Sequence, residues 1–180
     1  STTGALIRQY NPGKPDTMDA FNPMIGATYA FPDTTKLFGS IARKVRFPRL
    51  SQLYGSTGNL DLKAEKAINY TLGVSRSFSK YLRGELAWFY HDFSNFITRD
   101  TPDPTGVYFN YDKIAMTGFE LTGKIYPLKD FFMWEDLALW AAYTYNHASN
   151  RSSDRVTSKV RSIPEHKVDM GIHLTVPYIK

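Results

Sequence analysis

The chain has 180 residues, 15% of them aromatic, a net charge of +5, no Cys and a mean hydropathy of -0.36. The absence of Cys excludes disulfides, Cys-ligated zinc and thiol catalysis. No run approaches the roughly 20 apolar residues of a spanning helix. A membrane β-barrel stays open, because period-two alternation halves the average hydropathy.

Residues 1–21 hold Gly4, Asn11, Pro12, Gly13, Pro15 and Asp16, which is loop chemistry. A first strand is predicted over about 22–31, then a turn at Pro32-Asp33-Thr34-Thr35. The second strand covers about 36–45, with Leu37, Gly39 and Ile41 opposite Phe38, Ser40 and Ala42. An irregular stretch, 46–66, breaks the pattern. Strand three, 67–78, puts Ile68, Tyr70, Leu72, Val74 and Phe78 on one face, and Asn69, Thr71, Gly73, Ser75 and Ser77 on the other. A turn near Ser79 and Lys80 leads into strand four, about 82–97, where Leu86, Trp88 and Tyr90 alternate. Strand five, about 107–126, sets Phe119, Leu121 and Ile125 against Glu120, Thr122 and Lys124. Strand six, 136–147, sets Leu137, Leu139, Tyr143 and Tyr145 against Trp140, Thr144 and Asn146. Strand seven, 168–176, is the cleanest, with Val168, Met170, Ile172, Leu174 and Val176 on one side and Asp169, Gly171, His173 and Thr175 on the other.

Seven such strands imply an all-β chain, an antiparallel up-and-down meander with one face suited to lipid. The connections alternate, short at 32–35, 79–81 and 127–135, long at 46–66, 98–106 and 148–164. Bacterial barrels keep tight turns at the periplasm and long loops outside, so this rhythm puts the long connections on the outer face. The chain starts in loop-like sequence and stops directly after a strand. It reads as one partial barrel domain, 1–180, of a longer protein.

The segment LFGSIARKVRFPRLSQLYG, followed by GNLDLKAEKAINYTLGV, resembles the most recognisable stretch of TonB-dependent outer-membrane receptors. The matching positions are Ala42, Arg43, Phe47, Pro48, Leu53, Tyr54, Asn59, Leu62, Glu65, Asn69, Tyr70 and Gly73. Ala64 stands where the family usually has Pro, and Gln52 where it usually has Glu. The similarity continues at Phe89 to Ile97, at Phe109-Asn110-Tyr111, at Thr117-Gly118-Phe119-Glu120-Leu121 and at Ile163 to Lys167. The resemblance implies a segment of a barrel of about 22 strands, with the plug domain and the terminal strands lying outside this chain. It also implies a receptor in the bacterial outer membrane that binds and imports a scarce nutrient complex, such as a ferric siderophore, haem or cobalamin. Its partners would be outer-membrane lipid and lipopolysaccharide, a small-molecule metal complex as ligand, and a TonB-type energy transducer reached through the absent plug. No cofactor and no nucleic acid are expected. The competing readings are a passive porin and, further off, a soluble carbohydrate-binding β-sandwich.

Arg43, Lys44, Arg46 and Arg49 cluster at the mouth of strand two. A nucleic-acid site needs a larger basic face with interleaved stacking residues; a barrel rim meeting lipid phosphates needs no more than this. Arg46 and Arg49 are the pair placed to hold an anionic ligand. Tyr54, Tyr108 and Tyr111 sit at loops or loop edges and are candidates to contact a ligand from above. His147, at the outer end of strand six, is the best placed of the four histidines, none of which has metal-ligand spacing. Trp88, Tyr90, Tyr143 and Tyr145 alternate on the lipid side as an aromatic girdle. Glu120 and Lys124 share the other face and are expected to pair with basic or acidic neighbours in a wet interior. Ser77-Phe78-Ser79-Lys80 matches S-x-x-K, but a β-turn cannot bring that Lys onto the Ser. No catalytic residue and no metal site is expected; the chain is not read as an enzyme.

Overall fold

A computed structural model describes residues 19–99, 106–127, 136–152, 160 and 163–175. The expected loop over 1–21 therefore lies mostly outside the described residues, as do 100–105, 128–135, most of 153–162 and Val176. Seven strands form one sheet in strict sequence order: β1 (Met24–Ala30), β2 (Thr35–Arg46), β3 (Glu65–Ser79), β4 (Leu82–Thr98), β5 (Phe109–Ile125), β6 (Asp136–Asn150) and β7 (His166–Thr175). Every neighbour is antiparallel. No second sheet packs against it among the described residues.

Register fixes the two faces, because directly paired residues point the same way. One row runs Gly39, Leu72, Trp88, Phe119, Tyr145; the next runs Leu37, Val74, Leu86, Leu121, Tyr143, Val168. This outward face is almost entirely apolar and stays exposed, up to 75% at Met170 and 74% at Ile172. The opposite, inward face carries Ser40, Thr71, Ser75, Glu85, Glu120, Thr144 and Asp169. An exposed apolar face of this extent has to meet lipid or another chain, and β3 to β6 span 15, 17, 17 and 15 residues. A tilted membrane strand needs only about 9–11, so strands of this length are more than sufficient to cross a bilayer.

The aromatic girdle is present on the outward face. Tyr70 and Tyr90 lie 6.1 Å apart, Trp88 stacks on Tyr90 at 6.4 Å, and Phe119 contacts Tyr143 and Tyr145 at 5.9 and 5.7 Å. His166 completes it, its Nδ1 lying 2.8 Å from the Tyr143 hydroxyl.

Three rings on the polar, inward face look misplaced in sequence but have a local reason. Phe38 pairs with Gly73, Phe89 with Gly118 and Trp140 with Gly171. In each pair the ring reaches over the glycine opposite, where a Cβ would collide with it. A ring laid across a strand glycine replaces the missing side-chain contact and covers the backbone there.

The turns 31–34 and 80–81 lie at one end of the sheet and 47–64 at the other. The expected length rhythm is weaker at the third hairpin, where 126–135 is as long as 99–108. Antiparallel order still puts Ile125 and Asp136, which flank that connection, at the end of the tight turns. At that end Asp33 accepts from Thr35 and faces Arg76 at 3.4 Å. The hydrogen bond from Thr35 chiefly, and Arg76 after it, hold the Asp33 carboxyl below its ordinary range. The native state therefore favours the ionised form: this contribution to the turn is complete at neutral pH and fades only on acidification through the lowered value.

Candidate functional site

The buried residues do not lie midway along the wall. Leu62, Glu65, Ala67, Ile97, Ile114 and Ala115 gather at the outer end of β2–β5, beneath the 47–64 connection. That connection is built as a shelf. Pro48 ends β2 geometry, and a single helical turn, α1 (Leu50–Tyr54), follows. The Arg49 N–H donates to Gln52 Oε1 at 2.9 Å, and Gln52 is buried at the turn's centre. The sequence reading had only an irregular stretch here; one turn is too short to show a helical period.

Asparagines then tie the shelf to the neighbouring hairpin. Asn110 accepts from the Lys63 N–H at 2.9 Å and donates to the carbonyls of Lys63 and Asn95 at 3.1 and 2.6 Å. Asn59 donates to the Tyr108 carbonyl at 3.0 Å, and the Tyr108 N–H donates to Thr57 O at 3.0 Å. Asn95 has φ 56°, in the left-handed region that Asn tolerates, and it interrupts the β4–β5 ladder where Asn110 reaches across. Replacing Asn110 by Ala strips three backbone groups of their partner. In the full-length protein this is expected to raise protease cleavage within 47–64 at least severalfold, while the sheet keeps its resistance to unfolding by mild detergent.

The candidate residues separate into two groups. Arg46, Arg49, Tyr54, Tyr108 and Tyr111 share the outer end of β2–β5. Arg46 is already engaged: its Nε and Nη2 grip the Glu65 carboxylate at 3.2 and 2.7 Å, opposite it across the β2–β3 ladder. Arg49 stays exposed at the start of α1 and Tyr54 exposed at its end. The Arg99 guanidinium lies 5.3 Å from the Tyr108 ring centroid, and Tyr111 meets Phe109 edge-on at 4.8 Å. His147 stands apart. It pairs with Thr117 on the face of Tyr143 and Tyr145, so it looks outward rather than into the interior.

The inward wall below the shelf carries Lys44, Asn69, His91 and Met116. His91 is the direct partner of both Asn69 and Met116, and its ring stacks on Phe89 at 5.0 Å. Glu120 makes no ion pair among the described residues; its cross-strand partners are Ala87 and Thr144. Lys124 lies 5.2 Å from the Tyr126 ring. No group of three His, Cys, Asp or Glu able to hold a metal occurs among the described residues.

A meander with one lipid-suited face, an aromatic girdle, tight turns at one end and a built shelf at the other has the architecture of one wall of a membrane β-barrel. The family profile described as TonB dependent receptor-like, beta-barrel matches residues 2–178, and the chain belongs to that family. Among solved structures it is similar to the copper transporter OprC, with TM-score 0.61 and 18% identity over 83% of this chain and 23% of that one. It is similar to the siderophore receptor PirA from Pseudomonas aeruginosa, with TM-score 0.54 and 25% identity over 71% and 25% of the two chains. The FrpB iron transporter from Neisseria meningitidis gives TM-score 0.51 and 17% identity over 76% and 21%. The chain thus spans about a quarter of the length of these relatives.

Proposed function

We propose that the protein containing this chain is an outer-membrane receptor that binds a scarce metal complex, a ferric siderophore first among them, and imports it with energy from a TonB-type inner-membrane partner. The observation that carries this reading is the shelf over β2–β5, a preorganised outer surface presenting Arg49, Tyr54 and Tyr108 on a wall of receptor type. The match to a siderophore receptor at 25% identity supports the cargo class. The exposed Tyr54 ring and Arg49 guanidinium at the two ends of α1 suit an anionic chelate that carries aromatic or apolar groups on its periphery, by stacking and by charge. The chain's part in this is binding and positioning; gating belongs to elements outside it. Energy coupling separates this reading from a passive porin.

The test uses the full-length receptor under iron limitation, with a panel of ferric siderophores as sole iron source. Growth on at least one of them is expected in cells with TonB and lost in cells without it. Exchanging Tyr54 and Tyr108 together for Ala is expected to weaken binding of that siderophore by about tenfold, with the heat-modifiable band unchanged. Growth that ignores TonB, or binding that ignores both tyrosines, contradicts the proposal.

A further inference from the structure

At the end of the tight turns, the inward face of β4 and β5 sets two cations directly opposite each other. Arg83 and Lys124 are cross-strand partners, and like charges so placed repel. Neither makes an ion pair among the described residues. Both lie instead against one ring, with the Arg83 guanidinium 5.4 Å and the Lys124 ammonium 5.2 Å from the Tyr126 centroid. The Tyr126 N–H donates to the Tyr81 carbonyl at 2.8 Å, which holds the backbone under that ring to β4. A ring face attracts each cation but brings no net charge. The repulsion between the two is left without a counter-ion.

The pair opens on a cleft of about 310 Å³, bordered also by Lys36, Glu85 and the hydroxyl side chains Ser75, Ser77 and Thr122. Lys36, Ser75, Glu85 and Thr122 form one inward row, and Ser77, Arg83 and Lys124 the next. Three cations therefore share one carboxylate, and neither Lys36 nor Glu85 makes an ion pair among the described residues. Arg76 borders the cleft as well but is turned to Asp33. One edge is stiffened by Thr34, whose φ of 70° is rare for a β-branched residue. Its hydroxyl donates to the Ser77 carbonyl at 2.7 Å and ties the first turn to β3.

We propose that this cleft is a binding site for a small polycarboxylate that also carries a hydroxyl. One carboxylate sits between Arg83 and Lys124 and supplies the missing counter-charge, through the charge-assisted hydrogen bonds such groups form. A second meets Lys36 and the hydroxyl side chains. Glu85, an acceptor among donors, takes the ligand's hydroxyl. The volume lies at the lower end of ligand pockets, about 300–1,000 Å³, and suits a small ligand. In a receptor that imports an anionic chelate, the site holds cargo at the inner end of its passage. That role rests on the import reading; the binding does not.

The test is lysine footprinting of the full-length receptor in mild detergent, with citrate as the probe and chloride at equal ionic strength as the reference. Acetylation of each Lys is read by mass spectrometry. Citrate is expected to protect Lys36 and Lys124 at least severalfold and to leave Lys66, on the outward face, unchanged. Arg83→Gln removes a repelling charge, so the fold is expected to hold, while citrate binding weakens about tenfold. Arg83→Lys is expected to recover part of it. Equal reaction of Lys36 and Lys124 with and without citrate overturns the site. Slow reaction under both conditions overturns it too, and assigns the cleft to an acidic segment of the receptor. Equal protection by tricarballylate, which lacks the hydroxyl, overturns the part given to Glu85. In cells, the double variant Arg83→Gln, Lys124→Gln is expected to bind siderophore at the surface as the wild type does and to import it more slowly. A wild type that imports nothing removes the role in passage and leaves the citrate footprint standing.

Discussion

Alanine at Gly118 is expected to cripple assembly of the receptor, whereas alanine at Gly123, five residues along the same strand, is expected to be almost silent. A Cβ at Gly118 would run into the Tyr145 carbonyl of β6, with Tyr145 C at 3.0 Å and the Phe89 ring at 2.7 Å on the other side. The Phe89 ring can swing; the β6 backbone cannot move without breaking the ladder that pairs Gly118 with Asn146. Forced overpacking against main chain costs about 3 kcal/mol or more. Gly123 has nothing within 4 Å of a built Cβ, and its replacement reduces the freedom of the unfolded chain, for a gain of about 0.5 kcal/mol. Gly73→Ala should fall between, because its obstruction is the movable end of Phe38. Urea titrations of the refolded receptor, read by tryptophan fluorescence and by the heat-modifiable band, rank the three. Equal stabilities for Gly118→Ala and Gly123→Ala would show that β6 does not approach β5 as described.

The second large effect falls on Glu65. Its carboxylate accepts both Arg46 contacts and the Ile97 N–H at 3.2 Å, and the residue is buried. Glu65→Ala leaves a half-buried guanidinium and a buried N–H without their partner. Breaking such a pair costs about 3–5 kcal/mol when both groups are fully enclosed; the Arg46 side chain is 41% exposed, so about 2–3 kcal/mol is expected here. The loss should be local, loosening the shelf before the wall. Hydrogen exchange is expected to speed up at 47–64 and at Ile97 and to stay slow in β3 and β6. The double variant Arg46→Ala, Glu65→Ala should lose less than the sum of the singles, because removing both groups leaves no unpaired charge. A strictly additive cycle would show that the two do not act as a pair.

Period-two alternation made the architecture legible. All seven strands fall within a few residues of where Leu37–Ile41, Ile68–Val74 and Val168–Leu174 placed them, since one apolar and one polar face can be read without knowing any partner. The family motifs were visible as well, although their physical reasons were not. Glu65 answers Arg46 from nineteen positions along the chain, and only register shows it. Gly73 and Gly118 are glycines because of Phe38, Phe89 and the Tyr145 carbonyl, each on another strand. His147 shows where a position in the chain misled: proximity to a loop suggested a ligand contact, while its parity with Tyr143 and Tyr145 already placed it on the outward face. The α1 turn escaped because its five residues carry no period.

The central claim is that Ile68, Tyr70, Leu72 and Val74 face lipid while Asn69, Thr71 and Ser75 face the barrel interior. Within this chain no native Cys competes with single-cysteine spin labels. Labels at 68–72, 74 and 75 of the full-length receptor in native outer membranes would be read for collision with oxygen, which partitions into lipid, and with a water-soluble nickel chelate. Oxygen contact is expected to peak at 68, 70, 72 and 74, and contact with the chelate to rise in antiphase at 69, 71 and 75. Profiles that run in phase, or that lack a period of two, would contradict the account.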